Sequence, residues 1–184
     1  MVRAFIAVDV SDEETVRNIV NVQNELMSVV REGLKPVEPQ NLHLTIRFLG
    51  EVSDADVELV VEALSRVDAK QFTMSLKGLG YFPGGGRVNV VWAGVDQGEE
   101  ELKKIHDNLE KLLSGIRIEK DSRFSPHLTI CRVKFLKDKQ SLLDVISRNR
   151  QTFFGRQRVD RISLKKSVLT SSGPVYSDLA VRRI

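Results

Sequence analysis

The tetrapeptide His-Leu-Thr-Ile occurs twice in this chain, as His43-Leu44-Thr45-Ile46 and His127-Leu128-Thr129-Ile130. Each copy lies in a β-branched, aliphatic run that reads as a strand, and strand side chains alternate between faces. Histidine and threonine therefore share one face, while leucine and isoleucine turn into a core. The flanks repeat as well. Phe5-Ile6-Ala7-Val8-Asp9 is an apolar strand run that precedes the acidic helix start Asp12-Glu13-Glu14 and then His43. Val91-Trp92-Ala93-Gly94-Val95-Asp96 precedes Glu99-Glu100-Glu101 and then His127 in the same order. Each motif is followed at equal spacing by an aspartate, Asp54 or Asp138, that opens a helix-like stretch. Such a chain is an internal duplication of two β-α-β-α-β halves, approximately residues 1–85 and 86–184. The duplication brings the two His-x-Thr strands together across a pseudo-two-fold axis.

No Pro/Ser-rich linker or low-complexity tract parts the halves. The expected fold is α+β: one two-lobed domain over 1–184, with two antiparallel sheets facing a central cleft and helices packed outside. Exchange of strands between the lobes is left open. After a strand at 2–9, Ser11 is the candidate N-cap of a helix to about Arg31, with Glu14 as its capping-box partner. Lys35 to Glu38 reads as a short strand, and Arg117-Ile118 as its counterpart in the second half. Ser53 caps a second helix, and Phe72 to Leu79 alternates as a strand. Tyr81 to Arg87, with its triple glycine, reads as a flexible hairpin connection, with a mobile rim of the cleft as the alternative. It lacks the Gly-Lys-Ser/Thr of a phosphate loop, and Pro83 stands where a dinucleotide fingerprint needs glycine. Trp92 is read as core. A helix from Glu99 to Leu113 turns His106 away from its apolar stripe toward solvent, and Leu136 to Ser147 forms another. Arg156–Val168 and Val175–Ile184 finish as long basic strands joined by a turn at Ser171–Pro174.

Two imidazoles without a nearby thiol or serine nucleophile point to general acid–base chemistry, because one can be neutral and the other protonated near pH 7. In-line displacement at phosphorus needs a base behind the attacking oxygen and an acid on the leaving one. The Thr45 and Thr129 hydroxyls can donate to the non-bridging phosphate oxygens. Zinc is the rival chemistry for paired histidines. It requires a third ligand, and only Cys131 stands on the histidine face to serve. Cys131 itself is expected to be a small buried residue. Alternation also puts Arg47 on the His43 face, where it meets either phosphate or solvent.

Charge and cysteine use narrow the classes further. The formal net charge is +3, and it is uneven. Nine Lys and Arg lie between Arg148 and Arg183, opposed only by Asp160 and Asp178, which suits a polyanionic ligand approaching one side. The apolar runs fall short of the ~18 residues that span a bilayer, and the start lacks the pattern of a signal peptide. A single cysteine permits no internal disulfide and fits a reducing cytoplasm.

Over nearly its full length the chain resembles the 2H phosphoesterase family, and within it the RNA 2′,3′-cyclic phosphodiesterases once named 2′-5′ RNA ligases. The resemblance is carried by Phe5-Ile6-Ala7-Val8, by the run from Asn41 through the first motif to Glu51, and by Phe124-Ser125-Pro126 with the second motif. A C-terminal stretch with Ser167, Gly173-Pro174 and Tyr176 adds to it. It implies an RNA or oligonucleotide substrate ending in a 2′,3′-cyclic phosphate, opened to a 2′-phosphate without metal or cofactor. His43 is then the proton donor and His127 the proton acceptor, with Thr45 and Thr129 binding phosphate. Arg47, Arg123 and Tyr176 are candidate RNA or phosphate contacts, and Lys165 and Lys166 are expected to contact longer RNA. Run backward, with an RNA 5′-hydroxyl in place of water, the reaction gives 2′-5′ ligation without ATP. A cytoplasmic monomer with no membrane partner is the expected setting. Two other readings stay open: a non-catalytic RNA-end binding protein, and a 2H phosphodiesterase acting on a small cyclic phosphate or 2′-5′ oligoadenylate.

Overall fold

In the computed structural model, which describes residues 1–121, 123–171 and 173–184, the two motif strands meet at the middle of a nine-stranded antiparallel sheet. The first half supplies β1 (Val2–Asp9), α1 (Glu13–Val29), β2 (Leu34–Pro36), β3 (His43–Val52), α2 (Asp54–Ser65) and β4 (Phe72–Gly84). The second supplies β5 (Arg87–Val95), α3 (Glu99–Leu112), β6 (His127–Val133), α4 (Lys139–Arg148), β7 (Phe153–Val159), β8 (Arg161–Thr170) and β9 (Gly173–Arg183). The strand order is β7-β4-β5-β6-β3-β1-β8-β9, with β2 paired to β6. Outward from the β6–β3 seam, equivalent strands mirror one another: β6 with β3, β5 with β1, β4 with β8.

One residue pair, Leu44 with Leu128, joins β3 to β6 at that seam. The two expected antiparallel sheets are the parts on either side, β3-β1-β8-β9 and β7-β4-β5-β6. Beyond the Leu44–Leu128 pair the motif strands diverge, and the far end of β6 pairs with β2 instead, from Leu34 opposite Val133 to Pro36 opposite Cys131. This divergence opens the cleft. Strands cross between the sequence halves: β4 leaves the first half to pair with β5 and β7, while β8 and β9 return to β1. Helices α1 and α4 cover the β4–β6–β7 lobe, and α2 and α3 cover β3 and β9. The buried apolar side chains form one cluster that runs through both lobes.

Four local expectations change. Asp12, not Ser11, caps α1, its carboxylate accepting from the Thr15 N–H at 2.9 Å and the Thr15 hydroxyl at 2.7 Å. The side-chain Oε1 of Gln157 on β7 accepts the Ser11 and Asp12 N–H groups at 2.8 and 2.9 Å, so a long-range contact displaces the local capping box. Arg117-Ile118 forms no strand; Ile116 and Ile118 pack on the core from an irregular connection. Tyr81 and Phe82 belong to β4, opposite Val91 and Val90, and the expected flexible loop shrinks to a turn at Gly85-Gly86. The expected strand at 156–168 is two. Val159 faces Phe72 at the start of β4, where β7 runs out of partner, and the chain breaks at Asp160 before β8 joins β1. Ser53 caps α2 as expected, accepting from the Asp56 N–H at 3.1 Å. Ser172 of the expected turn lies outside the described residues.

Candidate active site

Both motif strands carry the same irregularity. Along β1, Ala7 faces Thr45 and Ile6 faces Arg47, which leaves Ile46 as an extra residue. Along β5, Trp92 faces Thr129 and Val91 faces Cys131, which leaves Ile130 extra. An inserted residue of this kind is a β-bulge, and it reverses the alternation beyond it. Before the bulge, histidine and threonine face the cleft as expected. After it, Arg47 and Cys131 turn inward, and Phe48 and Arg132 line the cleft.

The bulge overturns two expectations. Arg47 is not a phosphate contact: its side chain is 5% exposed, pairs with Glu110 of α3 and donates to the carbonyls of Phe48 and Glu119. Cys131 is the small buried residue expected, but it lies in the core and not on the histidine face, and burial pushes its thiol up to about 12. It is therefore placed neither to ligate a metal beside the histidines nor to attack a substrate. Among the described residues no group of three His, Cys, Asp or Glu side chains is arranged to hold a metal ion.

Antiparallel pairing about Leu44 and Leu128 sets His43 across from Thr129 and Thr45 across from His127. In that register the four residues, all of which line one cleft, stand at the corners of a square with the histidines on one diagonal and the threonines on the other. Each histidine Nδ1 lies 2.7 Å from the carbonyl oxygen two residues upstream, Asn41 for His43 and Ser125 for His127. A carbonyl can only accept, so Nδ1 carries the hydrogen and Nε2 is the nitrogen left for the cleft. Aromatic rings fix both imidazoles. His43 packs on Phe5 at 4.9 Å and meets the edge of Tyr176 at 5.0 Å. His127 meets the edge of Phe82 at 5.0 Å, with Trp92 at 6.3 Å. Trp92 is thus a half-buried neighbour of the cleft histidine rather than a core residue.

Burial pushes His43 below the ordinary imidazole value, against the Asn41 carbonyl and the Asp9 carboxylate, which raise it; Lys165 and Arg132 lower it. Lys165 is not free for RNA, because its ammonium is buried 2.6 Å from Asp178 Oδ1 and 3.0 Å from Asp9 Oδ2. Its neighbour Lys166 is half-buried.

A cleft of about 650 Å³ surrounds the square. Beyond it, the walls come from β1, β3 and the β8–β9 hairpin on the His43 side, and from β2 and the turn after it opposite. Tyr176 lines this cleft; Arg123 does not, and lies exposed on the connection before β6. His106, expected at the surface, is 5% exposed because Phe124 from that connection stacks on its ring at 4.6 Å. Phe48, Arg132 and Phe5 are site residues that sequence reasoning did not single out. Phe82 stands inside the loop read as a hairpin connection or a rim of the cleft, whereas the bulges that expose Phe48 and Arg132 leave no trace.

Known proteins are similar to this chain over nearly all of its length. The model of the LigT-like phosphoesterase family matches residues 8–92 and 94–176. An Archaeoglobus fulgidus protein named RNA 2′,3′-cyclic phosphodiesterase is 39% identical over 97% of this chain and 98% of its own. A Methanothermobacter thermautotrophicus protein of the same name is 37% identical over 100% of this chain and 99% of its own. A solved structure from Thermus thermophilus superposes with a TM-score of 0.78 at 30% identity, covering 98% of this chain and 97% of that one. E. coli LigT, solved in complex with 3′-AMP, has the same fold, with a TM-score of 0.77 at 24% identity over 100% of this chain and 97% of its own.

Proposed function

This chain belongs to the LigT-like phosphoesterase family, and from that premise we propose that it hydrolyses the 2′,3′-cyclic phosphate at an RNA end to a 2′-phosphate. The observation that carries the reading is the square of two histidines and two threonines, with both imidazoles held in the same tautomer by backbone carbonyls. A cyclic phosphate seated there receives hydrogen bonds from the Thr45 and Thr129 hydroxyls on its non-bridging oxygens. His127 Nε2 takes a proton from water as the water oxygen attacks phosphorus. The P–O3′ bond opposite breaks, and protonated His43 gives its Nε2 proton to O3′. The product is a 2′-phosphate with a free 3′-hydroxyl, and the two histidines exchange their proton through solvent.

The assignment of His43 as acid and His127 as base is the one the family resemblance implies. The cleft wall along β1, β3 and the β8–β9 hairpin lies on the His43 side. Phe48, 59% exposed in that wall, offers a ring on which a base can stack, and Arg132 faces the cleft as a cation for phosphate. With an RNA 5′-hydroxyl in place of water the same groups run 2′-5′ ligation, by microscopic reversibility. We assign the protein to the cytoplasm, working as a monomer on RNA fragments. No described helix is long and apolar enough to cross a membrane.

The test is an assay of cyclic-phosphate-ended RNA with EDTA present, followed by identification of the hydroxyl that keeps the phosphate. Turnover with EDTA to a 2′-phosphate supports the mechanism. A 3′-phosphate product, or activity lost to the chelator and restored by a divalent ion, rejects it.

A further inference from the structure

The twin motifs are not surrounded by twin neighbours. His43 stands across from Asp9 on β1, whereas His127 stands across from Gly94 on β5. One strand further out, Lys165 of β8 faces Phe5, which faces Phe48. At the equivalent place, Phe82 of β4 faces Val90, which faces Arg132. Phe48 and Arg132 occupy the same position after their respective histidines. An aspartate and a lysine beside His43 therefore replace a glycine and a phenylalanine beside His127. A third charge, Asp178 on β9, completes the set: the Lys165 ammonium bridges Asp9 and Asp178 across three adjacent strands. Burial works against that ammonium, but the two carboxylates more than offset it and hold its pKa above the ordinary lysine value.

We propose that Asp9, Lys165 and Asp178 are positioning residues, a net-negative ionic clamp that holds the wall behind His43 and supports the proton which this histidine must carry as the acid. The inference rests on the two-histidine reading above and adds the residues that break its symmetry. His43 packs between Phe5 of β1 and Tyr176 of β9, the two strands that also carry the clamp's carboxylates. The charged groups that act on His43 are Asp9 from β1, Lys165 from β8 and Arg132 from β6, and Asp178 acts through Lys165. Asp9 favours the imidazolium, while Lys165 and Arg132 oppose it. Two carboxylates around one ammonium leave the clamp with one surplus negative charge. It thereby counters the desolvation of an acid that must be charged in order to act.

The experiment reads the imidazole titrations of the whole protein by NMR, in three variants. Asp9→Asn and Asp178→Asn each remove negative charge, so the His43 midpoint moves down. Lys165→Met removes the opposing cation, so the midpoint moves up, while His127 stays where it was in all three. A merely structural clamp shifts every variant in one direction or shifts none, and either pattern overturns the proposal. If Lys165→Met does not fold, the two aspartate variants decide it: downward movement of His43 alone supports the clamp, and an unmoved His43 refutes it. With cyclic-phosphate RNA, kcat/KM of Asp9→Asn should fall about three- to tenfold at about pH 8 and less than about twofold at about pH 5. Loss by the same factor at both pH values refutes the electrostatic role. The titrations need no substrate, so an absence of hydrolysis alongside the expected shifts would count against the proposed reaction and not against the clamp.

Discussion

Arg47 is held on the helix side of β3 by Glu110, whose own side chain is only 13% exposed. Arg47→Met strands that carboxylate and should cost about 3–5 kcal/mol, most of it restored in the double variant Arg47→Met/Glu110→Leu. Urea titration of the three proteins checks this, and a single variant as stable as the parent would refute it. At the cleft, the leaving group separates the twins. A 3′-sulfur in a 2′,3′-cyclic thio analogue departs as a stable thiolate and needs little protonation. His43→Ala should lose about 10²–10⁴-fold on the natural ester and recover most of it on the analogue, while His127→Ala stays impaired on both. Rescue of His127→Ala instead would exchange the two roles. The pH profile has a matching sign. His43 must be protonated and burial lowers it, so the alkaline limb of kcat/KM should lie below the ordinary imidazole value of about 6.5. The kcat limb should lie higher, because bound phosphate anion favours the imidazolium; coincident limbs would contradict this. The square itself was legible in the sequence because His and Thr precede the bulge, where simple alternation holds. Arg47, Cys131, Phe48 and Arg132 follow it, and Ile46 and Ile130 look like any strand isoleucine, so nothing in the residue types marked the reversal.

Periodicity disclosed the helices, since each keeps its apolar face toward one lobe. It did not disclose the break at Asp160, because Arg156 to Val168 alternates acceptably as one strand while its two parts find partners in different lobes. The join between α1 and β7 is equally silent in sequence, and it is tight. Gly155 of β7 has φ +140°, and a Cβ there would collide with Thr15 Oγ1 and fall 3.0 Å from the Thr15 Cα. Backbone stands in the way as well as a side chain, so the helix must lift from the strand. Gly155→Ala should destabilise the fold by about 2–4 kcal/mol. The residual folded protein should keep its kcat, since the square lies on other strands. Thermal unfolding and single-turnover assays read the two effects separately, and a parent-like Tm would show that the helix gives way cheaply.

Across the molecule, each lobe is assembled from both sequence halves. Strands β1 and β3 depend on β8 and β9, and β4 depends on β5 and β7. Neither lobe can therefore melt while the other stays intact, and urea unfolding should be one transition by tryptophan fluorescence, which reads Trp92 in one lobe, and by circular dichroism, which reads both. Two separated midpoints would refute that. The same interlacing bears on the exposed turn at Gly85-Gly86, which joins the halves. A chain opened there yields one fragment with His43 and another with His127, each missing strands that only the other can supply. Separately they would be inert and unfolded; mixed, they would reassemble into a working enzyme whose activity requires both pieces. The turn is a natural place to build a split reporter, with one half of the acid–base pair on each partner.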